Sequence, residues 1–146
     1  MKFMTENEVF LLDTNILVYA YDAADVQKHI ISKKVINKCL DGEYNIAISP
    51  QNLSEFFSVT TSKGLLEKTD AVKVISDIIV FPGWVKINFD HTTVLAAAKI
   101  SDEYKMSYWD SLLAATMKQN SVLKIYTENK KDFKMPWLVV ENPFEK

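Results

Sequence analysis

Apolar positions along the chain fall into two alternating rhythms. Val9 to Leu12 is an unbroken apolar run, the pattern of a strand buried on both faces. Residues 25–41 instead carry Val26, Ile30, Ile31, Val35, Ile36 and Leu40 at helical spacing, and Asp41-Gly42 ends that helix with a residue suited to a left-handed turn. Tyr44 to Ile48 is apolar enough for a second strand. Ser49-Pro50 then joins an N-cap serine to a proline at the first helical position, and Leu53, Phe56, Phe57 and Thr60 share one stripe of the helix that follows. Another helix over Thr69 to Val80 closes at the turn Phe81-Pro82-Gly83. Trp84 to Phe89 alternates as a strand does, Asp90 caps a helix to about Tyr104, and Ser107 opens one to about Gln119. Val122 to Tyr126 reads as a β-branched strand and Trp137 to Val140 as a last, short one.

Strand and helix thus alternate, which predicts an α/β/α sandwich, a central and mainly parallel sheet with helices on both faces. Ligands of open parallel sheets bind beyond the carboxyl ends of the strands, and Asp13 stands at one such end. With 146 residues, 48% of them hydrophobic and 25% charged, and no Gly/Pro-rich or repeated stretch, a single domain over residues 1–146 is expected. No apolar run approaches the ~20 residues of a membrane helix. The opening Met1-Lys2-Phe3-Met4-Thr5-Glu6 meets an acid before an apolar core builds, so no signal peptide and a cytoplasmic location are expected. The lone Cys39, at helical spacing with Ile31 and Val35, reads as a buried small hydrophobe.

A net charge of −2 argues against a general nucleic-acid coat protein. It leaves a nuclease open, because a carboxylate site is locally acidic until a bound divalent ion inverts its field. Lysines gather at Lys28, Lys33, Lys34 and Lys38, read as a solvated helix face, and at Lys130, Lys131 and Lys134, either a solvated loop or a contact for an RNA backbone. Three glycines, Gly42, Gly64 and Gly83, cannot write a phosphate-cradling loop. His29 and His91 lack zinc-ligand spacing, and a G-x-S-x-G elbow is absent.

The remaining chemistry is acidic. Each acid has a structural role open to it: Asp13 as a helix cap, Glu55 as a solvated helix residue, Asp110 as the partner of Ser107 in a capping box, Glu128 and Asp132 as loop acids. Set on the expected sheet, however, they gather at one edge. Grouped carboxylates raise one another's pKa unless protons or a cation compensate. All-oxygen donors suit Mg²⁺ or Mn²⁺, and hydrolysis of a phosphodiester by metal-activated water is the reaction such a site serves. Trp109, beside Asp110, reads as core packing in preference to a platform for a base. An aspartyl-phosphate hydrolase would want a second aspartate two residues after Asp13, where this chain has Asn15.

"LLDTNILVYAYD", "NLSEFF", "YWDSLLAA" and "IYTENKKDF" together resemble the four successive motifs of PIN-domain ribonucleases, and most closely those of VapC-type toxins of prokaryotic toxin–antitoxin pairs. The resemblance runs from Val9 to Phe133. It implies a metal-dependent endoribonuclease with Mg²⁺ or Mn²⁺, a homodimer, and a small antitoxin that blocks the site. Asp13, Glu55 and Asp110 match the family's three acids and are the expected catalytic and metal-binding residues, with Thr14 and Asn15 orienting Asp13. The usual fourth acid is replaced by Asn129, so Asn129, Glu128 or Asp132 fills that place, Asp132 being favoured as a metal ligand. Lys130 and Lys131 are the expected RNA contacts. A non-catalytic PIN-fold binding module and a housekeeping RNA-processing nuclease without an antitoxin are the alternatives.

Overall fold

The computed structural model describes residues 8–145. The opening hexapeptide, read above as no signal peptide, lies outside the described residues. Five strands, β1 (Val9–Leu12), β2 (Asn45–Ile48), β3 (Trp84–Lys86), β4 (Lys124–Tyr126) and β5 (Val139–Glu141), pair in the order β3-β2-β1-β4-β5, every pair parallel. They alternate with α1 (Thr14–Tyr19), α2 (Val26–Leu40), α3 (Pro50–Ser62), α4 (Lys68–Val80), α5 (His91–Tyr104) and α6 (Tyr108–Gln119), and a 3-10 turn spans Lys130–Asp132.

The period-two geometry of strands divides the core into two. Phe10, Leu12, Ile46 and Ile48 face one way and pack with Leu17, Val35, Phe56 and Ile78 of α1 to α4. Leu11, Ala47 and Ile125 face the other way, against Leu113 and Met117 of α6. A slip of one residue in β1 would exchange these faces, and fully burying a leucine such as Leu11 is worth about 1.5–3 kcal/mol, so the register is well specified. α5 lies outside α6, joined to it through Ala97, Leu112 and Ala115. With the sheet on one side and α5 on the other, α6 is buried all round from Ser111 to Met117, hence its small and apolar run.

The sheet is the expected sandwich, and parallel throughout. Strand ends differ from expectation for local reasons. β3 stops at Lys86, three residues before Phe89, because β2 ends at Ile48 and leaves no partner after the Ile87 N–H to Ile48 carbonyl bond. β4 begins at Lys124, two residues after Val122, because the Val122 N–H still closes the end of α6 on the Met117 carbonyl, with Ser121 in the left-handed region at φ 58°. β5 is displaced to Val139–Glu141 by the turn that the Leu138 N–H makes to the Met135 carbonyl. Helix signals were more exact: Ser49, Asp90 and Ser107 all cap, and Asp41-Gly42 ends α2 with Gly42 at φ +82°. Cys39 is buried, as its spacing predicts. No helix among the described residues is long and apolar enough to cross a membrane.

Candidate active site

The chain leaves β1 for β2 on one side and returns from β3 to β4 on the other, so the switch point of this sheet lies between the carboxyl ends of β1 and β4. Asp13 occupies that point. It is the N-cap of α1, its Oδ1 accepting from the Thr14 N–H at 2.8 Å. Its Oδ2 accepts from the Thr127 hydroxyl at 2.7 Å across the gap between the two strand ends. The capping role and a site role are therefore the same placement, since a strand that runs straight into a helix needs an acceptor where its carboxyl end meets the ligand crevice.

A second line of hydrogen bonds sets Glu55. Ser49, the N-cap of α3, donates to Asn52 Oδ1 through both its backbone N–H (3.0 Å) and its hydroxyl (2.9 Å). Asn52 Nδ2 donates to Thr14 Oγ1 at 3.0 Å, and Thr14 Oγ1 donates onward to Glu55 Oε1 at 2.8 Å. Ser49, Asn52 and Thr14 are buried, so each hydrogen has one place to go and the relay ends on a carboxylate. Asp110 enters from α6, where its N–H donates to Ser107 Oγ at 3.2 Å; the reciprocal half of the expected capping box is not formed, which leaves the carboxyl group to the crevice. Asp132, half-buried on the 3-10 turn, lines a cavity of about 580 Å³ together with Asp110, Lys105, Lys131 and Lys134.

The electrostatics follow from this crowding. Burial pushes Asp13 up to about 6, with the charges of Asp110 and Glu55 adding to it and the bonds from Thr127 and Thr14 opposing it. Burial also raises Asp110, helped by the charge of Asp132 and opposed by the Ser107 hydroxyl. The ion pairs among the described residues, such as Lys28–Glu128 and Lys130–Glu145, include none of Asp13, Glu55, Asp110 and Asp132. No three His, Cys, Asp or Glu of the described residues lie close enough to enclose an ion by themselves. The donor chemistry nevertheless fits a hard divalent cation: acceptor-only oxygens, partly desolvated, with uncompensated charge and room for water beside Asp110.

Other expected site residues divide. Thr14 is an integral link, whereas Asn15 is exposed and joins no hydrogen bond of the network. Asn129 contributes through its backbone, its N–H donating to Thr127 Oγ1 at 3.1 Å. Glu128 is taken up elsewhere, by the Tyr19 hydroxyl at 2.7 Å and Lys28 at 2.8 Å, so Lys28 is part of this pair and not of a free solvated face. Lys130 pairs with Glu145 at 3.3 Å, while Lys131 faces the acidic cavity. Trp109 is 63% exposed and not core: its spacing to Leu112 and Leu113 is that of a buried residue, but the first turn of α6 overhangs the sheet edge. Thr127 and Asn52 carry the network without having been picked out as site residues; a buried amide three positions after an N-cap serine was the available signal for Asn52.

Fold and site together define a three-layer α/β/α protein with an acidic crevice at the switch point of a parallel sheet. The chain belongs to the PIN domain family, which matches residues 10–135. No curated protein sequence matches it. Among solved structures, a toxin–antitoxin complex from Klebsiella pneumoniae superposes with a TM-score of 0.65 at 21% identity, over 94% of this chain and 99% of that one. DNA-bound VapBC from Salmonella typhimurium gives 0.65 at 18%, over 93% and 98%. A Mycobacterium tuberculosis VapC described as a sarcin–ricin loop cleaving toxin gives 0.63 at 15%, over 89% and 92%. At these identities the likeness is one of fold.

Proposed function

We propose that this protein is a divalent-metal-dependent endoribonuclease and the toxin of a toxin–antitoxin pair, acting in the cytoplasm as a homodimer held in check by a small antitoxin. One observation carries the nuclease reading: Asp13, at the switch point, is raised to about 6 by burial beside Glu55 and Asp110, and no Lys among the described residues pairs with any of the three. Family membership supports the reaction class, and the toxin–antitoxin complexes among the fold neighbours support the partner.

In this reading Asp13 and Asp110 are the main ligands of Mg²⁺ or Mn²⁺, with Glu55 holding water or a second ion and Asp132 supplying the fourth acid in place of Asn129. When bound, the ion supplies Lewis-acid chemistry, lowering the pKa of water and neutralising charge on the phosphate. The protein's own contribution is orientation. Thr127 and the Thr14 N–H fix both oxygens of Asp13, and the Ser49–Asn52–Thr14 relay fixes Glu55. Fixed bonds of this kind hold acceptors in place without reorganisation during the reaction. Attack by water in line leaves a 5′-phosphate and a 3′-hydroxyl. Asp13→Asn, which keeps the cap and the volume, is expected to abolish Mg²⁺- or Mn²⁺-dependent cleavage of RNA while the fold is retained. Undiminished cleavage by that variant, or 2′,3′-cyclic phosphate ends from the wild type, would refute the mechanism.

A further inference from the structure

Beside Trp109, the residue before Asp110, a second cavity of about 410 Å³ is lined by Pro50, Gln51, Glu55, Phe89, Trp109 and Leu112. Its walls are largely apolar, yet Glu55 opens into it. The indole of Trp109 is 63% exposed, and its backbone is pinned across the cavity by Gln51 Nε2, which donates to the Trp109 carbonyl at 2.9 Å. Gln51 Oε1 is buried with no hydrogen-bond partner among the described residues.

We infer that this cavity receives a nucleobase of the RNA next to the scissile bond, stacked on Trp109; the inference rests on the nuclease reading above and names a part of its substrate site. Three features favour a base as the occupant. The cavity adjoins the carboxylates, because Glu55 lines it and Trp109 directly precedes Asp110 in the chain. Lys105, Lys131 and Lys134 line the cavity into which Asp110 opens, so a strand whose phosphates lie there runs beside the residue next to the indole. An exposed aromatic beside a cationic groove is the arrangement that binds single strands, the ring stacking on bases and the cations tracking the backbone.

The test is a fluorescence titration of the Asp13→Asn protein in Mg²⁺ with a single-stranded oligoribonucleotide and with an abasic strand of equal length. Trp84 is buried and Trp137 half-buried, so quenching reports chiefly on Trp109. The oligoribonucleotide is expected to quench and the abasic strand not to. Adding Trp109→Phe should keep affinity within about threefold, and Trp109→Ala should weaken it by about five- to a hundredfold. Unchanged affinity in Trp109→Ala, while the wild type cleaves, overturns the base site and leaves the nuclease standing. A Trp109→Ala protein that binds RNA normally but sediments as a smaller species assigns the cavity to a second copy of the chain. Wild type that neither binds nor cleaves RNA removes the functional reading itself.

Discussion

The two halves of the acidic crevice are built differently. On the β1 side, every oriented group answers to another: Asp13 is bonded through both oxygens, and Glu55 closes a relay of three buried polar side chains that begins at an N-cap. On the α6 side, Asp110 and Asp132 face an open cavity rimmed by lysines, with Ser107 as the neighbour that favours the charge on Asp110. The first half is held by the sheet and costs stability to keep charged. The second rests on a helix's first turn and a 3-10 turn, with fewer hydrogen bonds to hold its carboxylates, so less opposes their adjusting to what enters. A site with one fixed and one adjustable wall can position a scissile group and still admit and release a polymer.

The largest expected effect tests the cost of the fixed half. The pKa of Asp13 in the folded, metal-free protein lies above the ordinary value, at about 6 against 3.8, so the native state holds a proton that the unfolded chain releases. The stability tied to that proton is full below about pH 4 and is lost as pH rises through about 6. Asp13→Asn carries no charge at any pH. In chelator it should match wild type near pH 4 and exceed it by up to about 3 kcal/mol at pH 8, measured by urea unfolding at each pH. A constant difference across that range would show that burial does not penalise the carboxylate. Next in size is Thr127→Val, which removes the donor to Asp13 Oδ2 and is expected to destabilise by about 1–3 kcal/mol at pH 8, and by less near pH 4, where the carboxyl is protonated. Equal loss at both pH values would mean that the hydroxyl matters for packing alone.

The same contrast governs how much the sequence discloses. The fixed half is legible because it is made of strand ends and helix caps: Asp13 ends an apolar run, Ser49-Pro50 opens α3, and Glu55 follows at a spacing that brings it back over the sheet edge. What could not be read is which polar partner each group selects. Asn15 and Thr14 are adjacent and chemically alike as site residues, yet the helical turn buries one and exposes the other. Asn52 sits inside an amphipathic stripe and is spent on Thr14 only because α1 and α3 pack side by side. The adjustable half depends on tertiary placement of loops. Glu128 and Lys130 look like site residues by position, and are claimed by Lys28 and Glu145, remote in sequence. Phe133 is the legible exception, a buried anchor that turns Asp132 inward.

A smaller effect addresses the fourth acid. Asp132→Asn should leave folding stability within about 0.5 kcal/mol, since the side chain is part-exposed and bonds to nothing that depends on it. Removing its charge lowers the pKa of Asp110, a shift readable by carboxyl NMR titration, and raises the Mg²⁺ concentration for half-maximal cleavage by about tenfold. Asn129→Asp is expected to change that concentration less. The reverse ranking would place the fourth group at position 129 and leave Asp132 as a spectator.

The smallest effect separates two neighbouring lysines of the same loop. Lys130 is engaged with Glu145, and freeing it for a phosphate costs that pair, a modest penalty because exposed pairs contribute about 0–1 kcal/mol. Lys131 has no such partner among the described ion pairs and faces the cavity that holds Asp110 and Asp132. A phosphate approaching those acids therefore meets Lys131 before Lys130. Lys131→Ala should weaken RNA binding and reduce the slope of log affinity against log salt by about 1, while Lys130→Ala should change the slope by clearly less. Both substitutions leave the apolar cavity and Trp109 untouched, so quenching at saturating RNA is expected to survive in each. If Lys130→Ala flattens the salt dependence as much as Lys131→Ala does, the ion pair with Glu145 opens in the complex and both lysines track the backbone. In that case the adjustable half of the crevice extends through the loop to the C-terminal segment.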